Sequence, residues 1–467
     1  MESLYGYTLS CWPYKQLSGN FLAAMSWQGT TTDSFGSPTT SPLAAMQGIN
    51  DFAEGFVAYE TRAVNVLSTA DDNPDSALAN IYAGMLWMFL ERPEAPEKSL
   101  PYSQRSEQLG ELNHREQGLL ALLKAWQRHD YPRVLSIAEA LCQVYPQDLP
   151  LLKIAQYHAF NAGNASLMLK MALAAESANR DRAPVYSMIA FGHEQSNQIN
   201  EAESAACRAL ALNQDEPWAH HALAHVHLSR GTTREGLQIL TNSADSWTGL
   251  NSFMFTHNWW HVALFDIAHG DVQSALRIYD ERCWGVQPEY SQDQIGAVSL
   301  LARLEIAGVD LIDRWQALRP FLEQRDDDVV QPFLTLQYLY GLAKAGSPRA
   351  DNLMALIGCQ AERPVVTSDK ALWCEVGIPV ARAIVAHARG DHEEAAKVLG
   401  PIRSHIWRVG GSHAQRDLFE QILLDARLKA GHWEPARKML EQRRRWEPES
   451  PLLYEQLNNV YRQINLK

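Results

Sequence analysis

Two pairs of histidines in the middle of the chain have the spacing and the chemistry of a reactive site. Six of the 16 histidines fall between residues 220 and 261, and four of them form the pairs His221/His225 and His257/His261. Residues four apart lie on the same face of an α-helix, so each pair would present two imidazole rings side by side. Imidazole exchanges protons near neutral pH and is a common ligand of transition metals. The pairs therefore indicate either proton chemistry or metal binding.

The elements that must position these histidines are helices. From Leu43 onward, apolar residues recur at helical spacing between short breaks rich in Gly, Asn, Asp or Pro, and no alternating strand pattern competes with them. Residues 1–45 contain clusters of Ser, Thr, Gly and Pro instead. We therefore predict an irregular segment over 1–45 and a helical-repeat domain over 46–467, with about ten to fourteen helices.

Small residues recur with the period of tetratricopeptide repeats. Two sets share internal offsets of 12 and 7 and lie 34 residues apart: Ala190, Ala202 and Ala209, then Ala224, Gly236 and Ser243. The repeats that match best cover residues 183–285 and 376–447. The period predicts an all-α fold, a tetratricopeptide-like α-solenoid in which helical hairpins stack into a right-handed superhelix that can close on itself.

The repeat register separates packing histidines from histidines that face the groove. When Ala224 is placed at position 8 of its unit, His220 and His227 take positions 4 and 11, where the repeat pattern has packing residues. His221 and His225 take positions 5 and 9. Similarity to tetratricopeptide repeats implies that positions 2, 5, 9, 12 and 13 of the first helix line the concave surface, so these two side chains should face the groove.

The neighbouring units add further groups to the same patch. In the next unit His257 takes position 2, Trp260 position 5 and His261 position 6, with Asn258 beside them, and in the preceding unit Glu194 takes position 12. Two histidine pairs on neighbouring helices, one carboxylate and an indole wall should thus converge. This convergence is the central expectation about the site.

A second polar motif lies near the C-terminal end of the repeats. Ser412 could cap a helix, and His413 and Asp417 would then lie one turn apart, with Gln415 and Arg416 between them. We expect Asp417, with Glu194, to orient histidines and Arg416 to pair with an anionic group.

Several longer blocks resemble the tetratricopeptide repeat protein 38 family over most of residues 110–447. The blocks span residues 186–194, 218–226, 257–261, 304–308, 314–315 and 410–417. Residues 1–45 match nothing in the family, and His193 stands where an apolar residue is expected. The resemblance implies an α-solenoid and implies no particular reaction.

Charge and motif content exclude several classes of function. The formal net charge is −13, with 41 Lys and Arg against 54 Asp and Glu, whereas nucleic-acid and anionic-membrane binders need a positive field. The run Arg443, Arg444 and Arg445 stands beside Glu441 and Glu447, so we interpret it as a solvated helix face. Nucleophile-elbow, phosphate-loop and dinucleotide-binding motifs are absent.

The sequence also suggests a location. The six cysteines form no C-x-x-C pair, the first 22 residues lack the pattern of a signal peptide, and the longest apolar run, residues 81–90, is far shorter than the roughly 20 residues of a membrane helix. We expect a cytoplasmic protein without membrane insertion or a nucleic-acid partner. A homo-oligomer is left open.

Four interpretations of the histidine patch stay open. The groove could bind a small polar or anionic molecule or a peptide terminus, with acid–base catalysis by His225, His261 and Glu194. The remaining groups that we assign to ligand contact are His221, His257, Asn258, Trp260, His413, Gln415, Arg416 and Asp417. The protein could instead be a non-catalytic adaptor that binds a partner peptide, or the histidines could simply bond to each other, to backbone carbonyls and to Glu194 within a packed groove. Whether it is an enzyme is open.

The fourth interpretation is a metal site. Two i, i+4 histidine pairs resemble the ligand pairs of helical metal sites, so His221, His225, His257 and His261 could hold a divalent transition metal. The H-E-x-x-H motif is absent. No cofactor is predicted apart from this possible metal.

Overall fold

The computed structural model describes residues 31–465, and this part of the chain is built almost entirely of helices. The first twelve are α1 (Met46–Ala58), α2 (Asn65–Asp72), α3 (Ala77–Met88), α4 (Ala95–Gln108), α5 (His114–Gln127), α6 (Tyr131–Val144), α7 (Leu149–Asn161), α8 (Ala165–Ala175), α9 (Ala183–Gln195), α10 (Ile199–Leu212), α11 (Pro217–Arg230) and α12 (Thr233–Ser243). The others are α13 (Ser252–Ala268), α14 (Val272–Ile278), α15 (Ser291–Ile306), α16 (Ile312–Leu322), α17 (Pro332–Lys344), α18 (Arg349–Cys359), α19 (Ile378–Ala388), α20 (His392–Ile402), α21 (His413–Lys429), α22 (Trp433–Arg443) and α23 (Pro451–Gln463).

The number of helices exceeds the sequence estimate. Within residues 31–465 there are 23 α-helices of seven residues or more, whereas about ten to fourteen helices were expected. The estimate was too low because stretches outside the best-matching repeats, such as residues 291–359, also fold as helical hairpins. The prediction of an all-α solenoid of helical hairpins is confirmed.

Helix starts are set locally by polar caps. Asn113 and Glu116 form a capping box at the start of α5, and Ser412 and Gln415 form one at the start of α21. Each side chain satisfies a backbone N–H that has no partner within the helix. The start of α21 foreseen from Ser412 is therefore present.

A short hairpin precedes the helices. Strands β1 (Thr31–Thr32) and β2 (Pro38–Thr39) pair antiparallel. The guanidinium of Arg115 on α5 donates to Asp33 in the turn at 2.7 Å and to Asp148 at 2.6 Å, and all three side chains are fully buried. This buried network fixes the hairpin to α5 and α7. The rest of the N-terminal segment, residues 1–30, lies outside the described residues.

Small residues at repeat positions are buried in the interior of the helical array. The following alanines are fully buried: Ala190, Ala202, Ala209, Ala224, Ala263, Ala275, Ala383, Ala395 and Ala436. The first helices of successive hairpins, α9, α11, α13, α15, α17, α19 and α21, pack side by side along the chain. They form the inner layer of the solenoid, and this layer carries both histidine pairs.

The N-terminal hairpins fold back onto the middle of the array. The backbone N–H of Asn251 donates to the carbonyl of Tyr59 at 2.6 Å. The buried carboxylate of Glu91 accepts hydrogen bonds from Tyr157 at 2.8 Å and from Ser291, 200 residues further on, at 2.7 Å. Gln331 also donates to Tyr157, at 2.8 Å.

The C-terminal hairpins close the other side. His413 lies 3.5 Å from Glu194, and Arg303 donates to the carbonyl of Ala414 at 2.8 Å. Arg234 and Glu449 form an ion pair at 2.5 Å across 215 residues. The solenoid therefore closes on itself, and its inner helices surround an interior.

One helical stretch is long and apolar enough by composition to cross a membrane. It covers Thr367–Ala388 and includes a π-helical segment, Trp373–Gly377, ahead of α19. Trp373, Val376 and Ile384 are buried. A core helix of a folded domain passes the same test.

Candidate functional site

The structure brings the four predicted histidines together in one buried group, here called the histidine cluster: His221 and His225 on α11, His257 and His261 on α13. The two ring centroids lie 4.6 Å apart in the pair on α11 and 5.0 Å apart in the pair on α13. Between the two helices, three of the four histidine pairings have ring centroids 4.8 to 5.0 Å apart. The Nε2 atom of His221 lies 3.2 Å from the Nε2 atoms of His225 and His257. The register inferred from the repeat therefore places these side chains correctly.

Aromatic rings hold the cluster in place. Trp218, one turn before His221 on α11, stacks on His221 with ring centroids 4.1 Å apart and an interplanar angle of 17°, and Trp260 stacks on His257 at 5.3 Å and 7°. Phe191 on α9 packs against His221 and His225 of α11.

The two histidines that the register assigns to packing have other partners: His220 accepts from the indole N–H of Trp247 at 3.2 Å, and His227 lies 2.7 Å from Thr232.

Glu194 stands directly behind the cluster. Its Oε1 lies 3.4 Å from Nδ1 of His225 and 3.5 Å from Nδ1 of His413, and its side chain is fully buried. Burial alone would raise the pKa of Glu194, but His225 and His413 hold it well below its usual range. A charged carboxylate therefore faces the outer nitrogen of His225.

The other three rings of the cluster are held neutral. Burial lowers the pKa of His257 to about 3, and burial together with the neighbouring imidazoles lowers the pKa values of His221 and His261 well below the ordinary value. Three rings with free lone pairs thus share the interior at neutral pH. Neither ring nitrogen of His261 has a hydrogen-bond partner.

Two cavities flank the cluster. The larger, of about 910 Å³, is called the aromatic cavity because twelve Phe, Tyr and Trp rings line it: Phe56, Tyr59, Trp87, Phe89, Tyr131, Tyr157, Phe160, Phe191, Trp218, Phe253, Tyr290 and Phe333. The smaller, of about 570 Å³, is called the arginine cavity and is lined by Arg303, Arg403, Arg416 and Arg443. His221 and His257 line the aromatic cavity, whereas His225, Glu194 and His413 line the arginine cavity. The cluster is the wall between the two.

Three predicted site residues line neither of these cavities. His261, although a member of the cluster, and Trp260 are buried away from both cavities, and Asn258 is fully buried with its amide donating to the carbonyl of Pro217 at 3.4 Å. The side chain of Asn258 faces the neighbouring helix α11 because it leaves α13 on the packing side. Its contact is therefore with the protein interior and not with a groove.

The residues of the C-terminal motif have different neighbours from those expected. Asp417 does not orient histidines: it accepts two hydrogen bonds from Arg443, at 2.6 and 2.7 Å. Gln415 closes the capping box of Ser412 and borders the aromatic cavity. The expectation for Arg443 is also corrected, because its side chain is only 15% exposed and faces the arginine cavity, while Arg444 and Arg445 are exposed.

Two arginines of the arginine cavity have no acidic partner. Arg303 donates to Ser299 and to the carbonyl of Ala414, and Arg416 donates to the carbonyls of Gly410 and Gly411. Within residues 31–465 no carboxylate oxygen lies within 4.0 Å of either side chain. Burial lowers the pKa of both Arg303 and Arg416 to about 10.

Sequence reasoning missed the polar groups of the aromatic cavity. Nζ of Lys153 lies 3.0 Å from the centroid of the Tyr59 ring, donates to the carbonyl of Val57 at 3.2 Å and also donates to that of Phe56. His158 lies against Trp126 at 4.4 Å, and its Nε2 has no partner. Lys153 and His158 are isolated polar residues in apolar helices, and no spacing signal singles them out.

A second group of possible metal ligands is already satisfied by protein contacts. His387, His392 and Asp425 have ligand atoms within 4.8 Å of one another. However, Asp425 pairs with Nε2 of His387 and with Nζ of Lys429, both at 2.8 Å, and Tyr340 lies 3.2 Å from Nδ1 of His387. These contacts describe a buried ion-pair network.

Comparison with known proteins adds little to this geometry. No family model matches the chain. Among solved structures, a chain of "Structure of Naa15/Naa10 bound to HypK-THB" aligns over 90% of this chain and 66% of its own length, with 12% sequence identity and a TM-score of 0.25. This chain thus spans slightly less than two thirds of that one, and so distant a likeness carries no statement about partners or activity. The fold itself defines the class: a tetratricopeptide-like helical-repeat protein.

Proposed function

We propose that the protein binds a mainly apolar organic anion in the aromatic cavity, with His221 and His257 in contact with it. The observation that carries the proposal is the presence of Lys153, without a carboxylate partner, on the wall of a cavity of about 910 Å³ lined by aromatic rings. Sites for small molecules have volumes of roughly 300–1,000 Å³, mostly apolar walls and a few polar anchors. The cavity has each of these features.

Lys153 supplies the anchor for the negative charge. The carbonyls of Phe56 and Val57 occupy two of its N–H groups, which is all that a neutral amine has, whereas an ammonium has a third. Burial lowers the pKa of Lys153 well below its ordinary value. A bound carboxylate would restore the charge on Lys153 and accept the third hydrogen bond, so binding should take up a proton.

The histidine wall supports proton transfer as the accompanying chemistry. The rings of His221 and His257 meet the cavity, and His225 with Glu194 stands behind them. Burial keeps His221 and His257 neutral, so they contact a bound molecule as hydrogen-bond partners. The charged carboxylate of Glu194 stabilises a cation on His225, which makes His225 the proton acceptor of this wall. His261 is a positioning residue in this proposal because it reaches neither cavity.

A second candidate site is the arginine cavity. Arg303 and Arg416 face it without acidic partners, and a small polar anion would neutralise both. This candidate keeps the contacts with Arg416, His413 and His225 that the sequence suggested. It differs from the first in ligand size, because the arginine cavity is smaller and more polar.

The adaptor alternative has less support from the geometry. An adaptor groove must admit an extended peptide or a helix along several repeats, whereas this solenoid closes and its inner surface surrounds two cavities.

The finer kinship with the tetratricopeptide repeat protein 38 family and a cytoplasmic location are also part of the proposal. The sequence blocks behind that kinship include both histidine pairs.

The test compares matched ligands by thermal shift and by quenching of tryptophan fluorescence, since Trp218 lines the aromatic cavity. Each aromatic or aliphatic carboxylate is paired with its own amide, which has the same apolar body and no charge. We expect the wild-type protein to bind at least one carboxylate about tenfold more tightly than its amide, equivalent to about 1.4 kcal/mol.

Lys153→Met should abolish that preference, whereas Lys170→Met, whose side chain is 64% exposed on α8, should retain it. Loss of binding in Arg416→Gln with retention in Lys153→Met would move the site to the arginine cavity. Stabilisation by a long peptide alone, or no carboxylate that stabilises the wild type, would overturn the proposal.

A further inference from the structure

The nitrogen atoms of the histidine cluster converge as ligands around a point and do not form a complete hydrogen-bond network. Nε2 of His221 lies 3.2 Å from Nε2 of both His225 and His257. Nδ1 of His221 and both nitrogens of His261 have no hydrogen-bond partner although they are buried. A buried polar atom without a hydrogen-bond partner destabilises the folded protein, so this arrangement calls for a further partner.

The protons available to neutral imidazoles cannot satisfy these contacts. A neutral ring has one N–H and one lone pair. Glu194 lies 3.4 Å from Nδ1 of His225 and favours the proton there, which leaves the lone pair of Nε2 directed at His221. Whichever tautomer His221 adopts, its single Nε2 cannot form two complementary hydrogen bonds and also supply a partner for His261.

The distances fit a metal ion. Ligands at about 2.0–2.1 Å in tetrahedral geometry around zinc lie about 3.3 Å from one another, and two of the nitrogen pairs lie 3.2 Å apart. One nitrogen from each of the four rings lies within 4.8 Å of the others. Small rotations of the side chains would complete the set.

We propose that the histidine cluster binds one divalent transition-metal ion through one nitrogen of each of His221, His225, His257 and His261. Oε1 of Glu194 lies 3.4 Å from Nδ1 of His225, so it is placed to accept the Nδ1–H and to fix the ring that ligates through Nε2, the role that carboxylates have behind metal-bound histidines. Imidazole ligands suit zinc, copper, iron and nickel. The ion would lie in the wall between the two cavities, whether or not an organic anion binds.

The contrast with the second histidine group supports this assignment. There Asp425 pairs with His387 and with Lys429, both at 2.8 Å. Both ring nitrogens of His387 have partners, and the buried nitrogen without a partner in this group is Nδ1 of the half-buried His392. In the histidine cluster the unsatisfied atoms are fully buried and directed at one another. The two groups therefore serve as test site and internal comparison.

The experiment uses the full chain, produced without a histidine tag, stripped with a chelator and then titrated with Zn²⁺ under calorimetry, with metal content measured by elemental analysis. One equivalent should bind to the wild type. His225→Gln and His261→Gln should each weaken binding at least tenfold, and Glu194→Gln should weaken it about 10- to 100-fold. His405→Gln, an exposed histidine outside the cluster, should match the wild type.

Less than a tenth of an equivalent after reloading, or equal binding by all four variants, would overturn the proposal. Should the cluster variants fail to fold, the wild type loaded with Co²⁺ decides the question. Intense visible absorption of a tetrahedral site supports the cluster as the ligand set, and the weak absorption of octahedral, solvated cobalt contradicts it.

Discussion

At the scale of single residues, the buried histidines make the stability of the protein depend on pH. Burial lowers the pKa of His158 to about 3, whereas the unfolded chain protonates this residue near 6.5. Between those values the unfolded state binds more protons than the folded state does. Stability therefore falls as the pH drops from 6.5 towards 3, by up to about 1.4 kcal/mol per pH unit for one such group, and is unaffected by it above 6.5.

His158→Phe should weaken this acid sensitivity. The variant keeps a planar ring against Trp126 and has no proton to gain, so its melting temperature should fall less between pH 6.5 and pH 5 than that of the wild type. His405→Phe, at an exposed position, provides the control and should follow the wild-type profile. Parallel profiles for all three proteins would contradict the assignment of His158 as a buried neutral base.

Spacing was informative for residues whose partners lie on the same or the next inner helix. The offsets that define the repeat placed His221, His225, His257 and His261 together, because the register fixes which face of each helix turns inward. The partner of Asp417 was not predictable, since Arg443 reaches it from a different helix 26 residues away. Lys153 was missed for a similar reason: its environment is created by tertiary packing.

At the scale of the helices, the packing of one helix on the next depends on small residues. A Cβ added to Gly236 on α12 would lie 2.6 Å from the ring of Phe265 on α13 and 2.8 Å from Cβ of His227 on α11. Since α13 carries half of the histidine cluster, the small residue at this repeat position supports the site indirectly.

Gly236→Ala should destabilise the protein by about 1–3 kcal/mol, because its methyl group overlaps two neighbouring helices. Gly296→Ala on α15 is the matched control: nothing lies within 4 Å of its added Cβ, and replacing a helical glycine gains up to about 1 kcal/mol. Differential scanning fluorimetry should therefore show opposite shifts. Two shifts of the same sign would contradict the close approach at Gly236.

Elements were predictable where the repeat motif is intact and less so elsewhere. Helices α9 to α14 follow the offsets of small residues, and the capping box at Ser412 marks the start of α21. The helices between residues 291 and 359 lack the motif, so the total number of helices was underestimated. The pairing of β1 with β2 was unforeseen because it depends on the buried contact of Asp33 with Arg115.

Closure is the property of the whole molecule that gives the site its form. The repeat period predicts curvature but not whether the ends meet, because small rotations between successive hairpins add up over the array. Here Glu91 links the end of α3 to α15, and Arg234 pairs with Glu449. The inner faces consequently surround two cavities, with the histidine cluster between them, where an open array would present a groove.

The most direct test of this account is a distance measurement across the closure. Arg234 and Glu449, whose side chains are 70% and 50% exposed, are each replaced by cysteine and spin-labelled in a variant that lacks the native exposed cysteines. Pulsed electron paramagnetic resonance then gives the distance between the two labels. The control pair, Glu176 and Arg208, lies on adjacent hairpins with a contact of 3.1 Å and should be close in any arrangement. We predict one narrow, short distance for both pairs. A short control distance with a long or broad distribution for the Arg234/Glu449 pair would show an open array and contradict the enclosed site.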